Sequence, residues 1–301
     1  MDVAITGASG LIGTALAESL RAGGDVVRPV VRRASDDPAA VRWDPDAGTI
    51  DAEALEGVDV VVHLAGAGIA DERLTDERKK VVLESRTQGT DLLARTLAGM
   101  ERLPRAFLSS SAVGWYGDQG DEVLTEQSTP GDDFVAEVCT AWEDAARPAV
   151  DAGIRTVFLR TAPVLTGRGG ILPQMALPFR LFVGGRIASG RQWMSWVSLD
   201  DVLGVVRFLV DRDDLHGPVN VTAPEPVTNR ELTAALGRAL HRPTLLPVPA
   251  AALRVVLGAG RAESLVLVSQ RVVPAVLSEA GYEFVHPTID EALGAVYGSA
   301  A

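Results

Sequence analysis

Three glycines near the start of the chain have the spacing of a phosphate-binding turn. Gly7, Gly10 and Gly13 lie three residues apart, directly after an apolar run. A glycine turn between a strand and a helix exposes backbone N–H groups and the positive end of a helix dipole, which together attract a diphosphate. Glycine is needed because a side chain would keep the phosphates away from the backbone. The turn residues assigned to a dinucleotide are Gly7, Ser9, Gly10, Leu11, Ile12 and Gly13.

The flanking sequence supplies the elements that must position such a turn. The run Asp2 to Thr6 predicts a strand, and the amphipathic run Leu11 to Leu20 predicts a helix. An ordinary strand-to-helix turn rich in small residues is the alternative. The order of strand, glycines and helix favours the dinucleotide site.

Two arginines indicate which dinucleotide would bind. In NAD sites an acidic residue at the end of the second strand holds the ribose hydroxyls, roughly 20 residues past the glycines. Here the second predicted strand ends in Val31 and is followed by Arg32 and Arg33. A guanidinium suits the 2′-phosphate of NADP(H), which a carboxylate would repel. The pair therefore predicts NADP(H), the alternative being two solvated arginines at a strand exit.

Composition restricts the other functions. The chain has 301 residues, 47% of them hydrophobic, and a formal net charge of -12, so we expect neither a nucleic-acid nor a membrane partner. One cysteine, Cys139, excludes an internal disulfide framework and favours a cytoplasmic location. No leader is expected because the first strand begins at residue 2. The four histidines stand apart, so no metal site is predicted.

Strand and helix signals alternate through the first half of the chain and predict an α/β fold. The arrangement is typical of a Rossmann-type, doubly wound parallel sheet with helices on both faces. After Thr161 the alternation ends, which predicts a smaller, irregular C-terminal substrate domain. The predicted boundaries are 1–165 for the nucleotide domain, joined by 199–221, and 166–198 plus 222–301 for the smaller domain. Strands are predicted at 25–31, 59–64, 105–110 and 154–160, and helices at 75–97 and 132–150.

Several motifs together resemble the extended short-chain dehydrogenase/reductase superfamily. Besides the glycine turn these are His63-Leu64-Ala65-Gly66, Ser109-Ser110-Ser111-Ala112 and Leu159 to Leu165, and the similarity covers essentially the whole chain. The resemblance implies that Ser111 matches the catalytic serine. It also implies that Leu64, Ala65 and Gly66 lie along the cofactor's ribose and that Pro163 and Val164 lie near the nicotinamide.

The chain departs from that superfamily at its catalytic pair. Members carry a tyrosine and, four residues later on one helix, a lysine that lowers the tyrosine pKa. Val135 and Cys139 stand at the matching positions here, and Arg86 stands where asparagine is common. These departures resemble an atypical group, the nucleoside-diphosphate-sugar epimerase-like proteins, in which cysteine replaces the lysine. The stretches from Leu246 to Pro249 and from Ser269 to Phe284 resemble the small C-terminal domain of that group, whose members are taken to bind NADP(H).

The candidate residues keep alternative roles. Ser111 could hydrogen-bond a substrate hydroxyl or carbonyl, or only satisfy local backbone groups. Tyr116 could supply the missing hydroxyl from a loop, or pack as an aromatic. Cys139 is assigned to the substrate cavity, although a buried small hydrophobe is the simpler interpretation of its thiol.

Arg86 and Trp193 complete the candidate set. Arg86 could hold the cofactor or an anionic substrate, the alternative being a surface ion pair with Glu84 or Asp91. Trp193 is assigned to the substrate cleft, the alternative being packing between domains.

Two function hypotheses follow. The first is an NADP(H)-dependent oxidoreductase or epimerase-like enzyme that transfers hydride to or from a small polar substrate, possibly a nucleotide sugar. The second is a sensor or scaffold that binds NADPH without turning it over. A monomer or homodimer is expected in either case.

Overall fold

The computed structural model describes residues 1–69, 72–244, 247–258, 260 and 262–298, and it has an α/β fold built on one large sheet. Leu246, part of the predicted C-terminal motif, lies outside the described residues. The strands are β1 (Asp2–Thr6), β2 (Val26–Val31), β3 (Val41–Asp44), β4 (Thr49–Ile50), β5 (Val60–His63), β6 (Ala106–Ala112), β7 (Val123–Leu124), β8 (Arg155–Thr161), β9 (Val164–Leu165), β10 (Trp193–Met194), β11 (Val197–Ser198), β12 (Gly217–Val221), β13 (Val227–Thr228) and β14 (Arg271–Val272).

Helices connect these strands and cover both faces of the sheet. They are α1 (Leu11–Ala22), α2 (Ala52–Leu55), α3 (Asp76–Ala98), α4 (Phe134–Asp144), α5 (Arg147–Asp151), α6 (Ile171–Arg180), α7 (Leu199–Val210), α8 (Asn229–Leu240), α9 (Ala250–Leu257), α10 (Ala275–Glu279) and α11 (Ile289–Tyr297). A 3-10 turn at Val113–Tyr116 and a π-helical stretch at Ala262–Leu267 lie between them.

The large sheet has the order β12-β8-β6-β5-β1-β2-β3-β4. All of its pairings are parallel except that of β3 with β4. The chain builds outward from β1 in one direction and from β5 in the other, so the strand order reverses between β1 and β5. Ligands of open α/β sheets bind at the carboxyl ends of the strands beside such a reversal. The predicted fold class is confirmed.

Apolar side chains fix the sheet between its two helical layers. Alternate residues of β1 point to opposite faces, so Val3 and Ile5 join one buried cluster and Ala4 joins the other. A third buried cluster lies in the C-terminal half and includes Leu172, Phe179, Trp196, Leu236 and Leu293. Each fully buried side chain of this size contributes about 1.5–3 kcal/mol of transfer free energy.

The helix predicted over 132–150 is two helices. Asp133 caps α4, since its carboxylate accepts a hydrogen bond from the Ala136 N–H. The chain breaks after Asp144 and starts again at Arg147. Pro148 explains the break, because proline has no N–H to continue a helix yet fits the first turn of a new one.

Two further strands were not predicted. The short strands β3 and β4 extend the sheet beyond β2 and pack the Trp43 indole into the core. At the opposite edge β12, which falls within the segment 199–221, pairs with β8 from Gly217 to Val221. The proposed division into domains stays a prediction.

Candidate functional site

The glycine turn lies at the carboxyl end of β1, beside the end of β5. Gly7 has φ +65, a left-handed value that suits glycine, and a Cβ there would lie 2.9 Å from the Leu64 carbonyl carbon. A Cβ on Gly13 would lie 2.2 Å from the Gly7 oxygen. Both positions therefore need glycine for α1 to pack directly on the turn.

Helix α1 begins in a way that leaves its N–H groups open to a ligand. Gly10 is the N-cap and provides no side-chain cap, so the first-turn amides must bond water or a ligand. Ser9 and Gly10 are exposed, and Leu11 and Ile12 are half-buried. Leu11 also contacts the loop after β9, since a Cβ on Gly170 would lie 3.1 Å from its Cδ2 atom. The geometry fits a diphosphate on the α1 N-terminus.

A neutral hydrogen-bond chain fixes the ends of β1 and β5, and we call its four residues, Thr6, His63, Thr90 and Trp142, the neutral network. The Thr6 hydroxyl oxygen accepts from the Leu64 and Ala65 N–H groups at 3.0 and 3.1 Å. It lies 2.7 Å from His63 Nδ1, and His63 Nε2 lies 2.9 Å from the Thr90 hydroxyl.

The protonation of His63 follows from these contacts. The Thr6 oxygen already accepts two amide hydrogens, so its own hydrogen is directed to Nδ1, and Nε2 carries the ring proton. The Trp142 indole also donates to the Thr90 oxygen, at 3.0 Å. Burial lowers the pKa of His63 from 6.5 to about 4, because the charged ring would be desolvated. His63 is therefore a neutral structural residue beneath the proposed cofactor site.

Arg32 and Arg33 follow β2 at the same edge of the sheet. Both side chains are exposed, and neither forms a hydrogen bond or ion pair with the residues that the structure describes. The pair is thus open to an anionic ligand beside the second strand, where the adenosine ribose of a dinucleotide would lie.

Arg86 approaches the end of β5 from α3. Its Nη1 atom donates to the Ala67 and Val82 carbonyl oxygens at 2.8 and 3.1 Å. Its guanidinium carbon lies 4.8 Å from the centre of the Trp142 ring on α4. The predicted alternative, an ion pair with Glu84 or Asp91, is not formed, because those residues pair with Lys80 and Arg95.

Ser111 belongs to a second buried chain. Its hydroxyl donates to Glu143 Oε1 at 2.6 Å. Arg160 clamps the same carboxylate, with Nε 2.8 Å from Oε1 and Nη2 2.9 Å from Oε2. Ser111 and Arg160 are direct partners on β6 and β8, so both side chains reach Glu143 on α4. The two charged side chains are 13% and 4% exposed, so this ion pair is largely desolvated.

Tyr116 extends this chain and does not face the cleft. Its side chain is fully buried, and its hydroxyl donates to Asn220 Oδ1 at 2.7 Å while accepting from Arg160 Nη1 at 3.2 Å. Burial raises its pKa, an effect that Arg160 partly offsets. The expectation that Tyr116 supplies a hydroxyl to substrate from a loop is therefore corrected. We call Ser111, Glu143, Arg160, Tyr116 and Asn220 the charged network.

Cys139 and Val135 fill the positions of the missing pair. Both are buried, and the Val135 side chain is packed so tightly that a Cβ on Gly114 would lie 2.5 Å from its Cγ1. Burial raises the pKa of the Cys139 thiol to about 12, an effect that Arg86 partly offsets. The thiol is protonated at neutral pH and is not a nucleophile there.

The C-terminal segment closes the site from the side of β6. Val272 pairs with Leu124, and the Gln270 amide donates to the Val113 and Gly117 carbonyls, so the segment holds both ends of the 3-10 turn that follows Ser111. The Trp193 indole donates to Asp121 at 3.0 Å and lies 4.2 Å from the Arg271 guanidinium carbon. Trp193 thus lies at the junction with the C-terminal segment.

Pro163 and Val164 follow β8 at the same edge. The Pro163 carbonyl accepts from the Val197 N–H at 3.1 Å, and Val164 pairs with Val197. Sequence reasoning missed Glu143, Arg160 and Asn220, although the spacing of Val135, Cys139 and Glu143 places all three on one helix face.

Two other kinds of site were sought in the described ranges. No group of three or more histidine, cysteine, aspartate or glutamate residues there could hold a metal ion. None of the helices in those ranges is long and apolar enough to cross a membrane.

Known proteins share this sequence along its length. The NAD dependent epimerase/dehydratase family matches residues 3–222, and a domain of unknown function (DUF1731) matches residues 248–296. The epimerase family protein Mb2239 of Mycobacterium bovis is 44% identical over 294 residues, which cover 97% of this chain and 96% of the relative.

Two solved structures have the same fold. Human epimerase family protein SDR39U1, crystallised with NADPH, has a TM-score of 0.90 at 34% identity over 99% of both chains. A nucleoside-diphosphate sugar epimerase from Corynebacterium glutamicum has a TM-score of 0.83 at 38% identity over 99% of this chain, which spans 58% of that protein's length.

Proposed function

The chain belongs to the NAD dependent epimerase/dehydratase family, and from that premise we propose that it binds NADP(H) and exchanges hydride with a small polar substrate. The observation that carries the proposal is the uncapped start of α1 on a glycine turn with no room for side chains. Gly7, Gly10 and Gly13 would hold the diphosphate, together with Ser9, Leu11 and Ile12. Leu64, Ala65 and Gly66 would line the ribose, and Pro163 and Val164 the nicotinamide.

The preference for NADP(H) over NAD rests on Arg32 and Arg33. Both guanidinium groups are exposed and unpaired within the described ranges, at the strand end where the 2′-phosphate would lie. The human relative crystallised with NADPH, 34% identical to this chain, supports the same choice.

Ser111 is proposed to contact the substrate. Its hydroxyl hydrogen is directed to Glu143, so its oxygen is free to accept a hydrogen bond from a substrate hydroxyl. When a substrate alcohol is oxidised, its O–H proton passes to Ser111, whose own proton passes to Glu143. A bound nicotinamide would supply or accept the hydride. This route needs neither the tyrosine nor the lysine that the chain lacks.

The substrate class is proposed as a polar hydroxyl compound, with nucleotide sugars as the first to test. The Corynebacterium glutamicum relative is described as a nucleoside-diphosphate sugar epimerase. Cys139 and Trp193 are proposed to border the substrate cavity, with Cys139 as an apolar wall. A cytoplasmic location and a monomeric or homodimeric state stay predictions.

Cofactor choice is tested by titrating the protein with NADPH and NADH. We expect tighter binding of NADPH, and we expect Arg32→Gln with Arg33→Gln to weaken NADPH binding about 10- to 100-fold while leaving NADH unchanged. Arg147→Gln, which removes an exposed cation from α5, is the matched control. Equal affinities for the two nucleotides in the wild type would refute the phosphate assignment.

Turnover is tested by incubating the protein with NADPH and carbonyl compounds, and with NADP+ and nucleotide sugars. Absorbance follows the reduced cofactor, and product analysis detects an epimerisation that restores the cofactor in each cycle. We expect Ser111→Ala and Glu143→Gln each to lower kcat at least 100-fold. Unchanged turnover in both variants would remove these residues from the mechanism.

A sensor that binds NADPH without turnover is the second candidate. The buried Val135 and the protonated thiol of Cys139, where the superfamily has its tyrosine and lysine, favour it. Tight NADPH binding with no product from any substrate would select this function over the enzyme.

A further inference from the structure

The helix that lacks a lysine lies against a guanidinium from another helix. Arg86 extends from α3, and its guanidinium carbon lies 4.8 Å from the centre of the Trp142 ring. Trp142 stands one helical turn after Cys139 on α4. The positive charge thus lies beside the segment of α4 that carries the lysine in the superfamily that the sequence resembles.

This guanidinium is held in place. Its Nη1 atom donates to two carbonyl oxygens, those of Ala67 and Val82. Its aliphatic stem runs along Gly66, where a Cβ would lie 3.5 Å from Arg86 Cγ. Cation–aromatic stacking on Trp142 fixes the remaining face. Three contacts from three segments define one position for the charge, at the carboxyl end of β5.

The charge also acts on the interior beside α4. Among the charged groups near the Cys139 thiol, Arg86 has the largest influence and lowers the thiol's pKa against the stronger effect of burial. The other buried cation near this helix, Arg160, is neutralised by Glu143 in a bidentate ion pair. Arg86 makes no such ion pair among the printed contacts of its Nη1, which go to neutral carbonyls.

We propose that Arg86 supplies from α3 the positive charge that the missing lysine would supply from α4, and that this charge makes the site bind NADPH more tightly than NADP+. The inference rests on the proposed function. The oxidised nicotinamide ring carries a positive charge and the reduced ring carries none, so a fixed cation repels only the oxidised form. The 2′-phosphate and the diphosphate are common to both forms and cancel in the comparison.

The size of the effect follows from Coulomb's law. Two like unit charges roughly 8 Å apart, at an effective dielectric constant of about 20 to 40, weaken binding by about 6- to 30-fold. We therefore expect the wild-type protein to bind NADPH about tenfold more tightly than NADP+. The preference belongs to Arg86 if removing its charge removes the difference.

The experiment titrates the full-length protein with NADPH and with NADP+ by calorimetry. Arg86→Gln should bring the two dissociation constants within about twofold, and Arg86→Lys should keep most of the preference because it keeps the charge. Arg95→Gln is the matched control, since it removes an exposed guanidinium from the far end of the same helix. If Arg86→Gln fails to fold, Arg86→Met replaces it, because methionine keeps the stem that packs on Gly66.

The outcomes separate the two proposals. If the wild type binds neither nucleotide, the proposed function fails. If it binds both equally, or if Arg86→Gln or Arg86→Met keeps the wild-type preference, the cofactor site stands and the role of Arg86 is overturned.

Discussion

The neutral network and the charged network lie under the two halves of the proposed site and differ in kind. The first consists of hydroxyls, an imidazole and an indole beneath the end of β5, and burial keeps its histidine uncharged. The second contains the ion pair of Glu143 and Arg160 beneath Ser111. A neutral chain loses one hydrogen bond when a member is removed, whereas a charged chain is left with a buried unpaired ion.

The two networks also differ in the sequence distances they join. The neutral contacts link residues 27 to 57 positions apart. In the charged network Tyr116 and Asn220 are 104 positions apart, and Asn220 in turn donates to the Val273 carbonyl in the C-terminal segment. The cofactor half is thus assembled within the first part of the chain, while the substrate half requires contacts from nearly all of it.

The largest effect is expected where the cofactor half has no spare volume. Gly13→Ala places a Cβ 2.2 Å from the Gly7 oxygen, so α1 must move off the turn. We expect NADPH binding to weaken at least 100-fold, measured by calorimetry on folded protein. Gly294→Ala is the control, because nothing lies within 4 Å of its added Cβ. Wild-type affinity in Gly13→Ala would show that the turn does not hold the cofactor.

The next effect compares the networks directly. Glu143→Ala leaves the Arg160 guanidinium buried and unpaired, which should lower the free energy of unfolding by about 3–5 kcal/mol. Thr90→Val removes one hydroxyl from the neutral network and should cost about 1–3 kcal/mol. Urea unfolding of both variants measures the difference. Equal losses would mean that the charged network is no more sensitive than the neutral one.

The third effect is a pH dependence that belongs to the neutral network. Because the pKa of His63 is about 4 when folded and 6.5 by default, the unfolded chain binds the extra proton between these values. Its contribution is complete above about pH 6.5 and is lost as the pH falls toward 4, by roughly 3 kcal/mol in total. Urea unfolding at several pH values should show this slope, and His63→Gln should lack it. An identical slope in that variant would assign the effect to other groups.

The smallest effect concerns the tyrosine of the charged network. Tyr116→Phe removes a hydrogen bond to Asn220 and one from Arg160, and should lower the free energy of unfolding by about 1–2 kcal/mol. Tyr297→Phe is the control, since the Tyr297 hydroxyl has no hydrogen bond within the described ranges. Because Tyr116 is buried, kcat should change less than twofold in any assay that detects turnover. A loss of 100-fold in kcat would restore Tyr116 as a proton donor.

The sequence was sufficient wherever the determinant was local. The glycine turn, the order of strands and helices and the family resemblance all followed from short motifs, and the family and fold class are confirmed. The position of Arg86 beside α4 is compatible with the cofactor role predicted for it, which stays a proposal. These features depend on residues that are neighbours in the chain or in one βα unit.

The sequence failed where the determinant was a distant contact. Tyr116 was expected in the cleft because it closely follows Ser111, but Asn220 and Arg160 hold its hydroxyl inside the protein. Glu143 was overlooked because its partner Arg160 lies on another element and no local pattern joins them. Burial and the pairing of strands decide such contacts, and neither can be read from spacing along the chain.

The bond from the Gln270 amide to the Gly117 carbonyl has a consequence for biosynthesis, because 153 positions separate the two residues. At about 5–20 residues per second, a ribosome takes roughly 8 to 30 s to make that length of polypeptide. The nucleotide half therefore emerges well before the loop beyond Ser111 acquires its partner. During that interval the nascent protein already has its phosphate turn, while the opposite wall of the cleft still awaits its last brace.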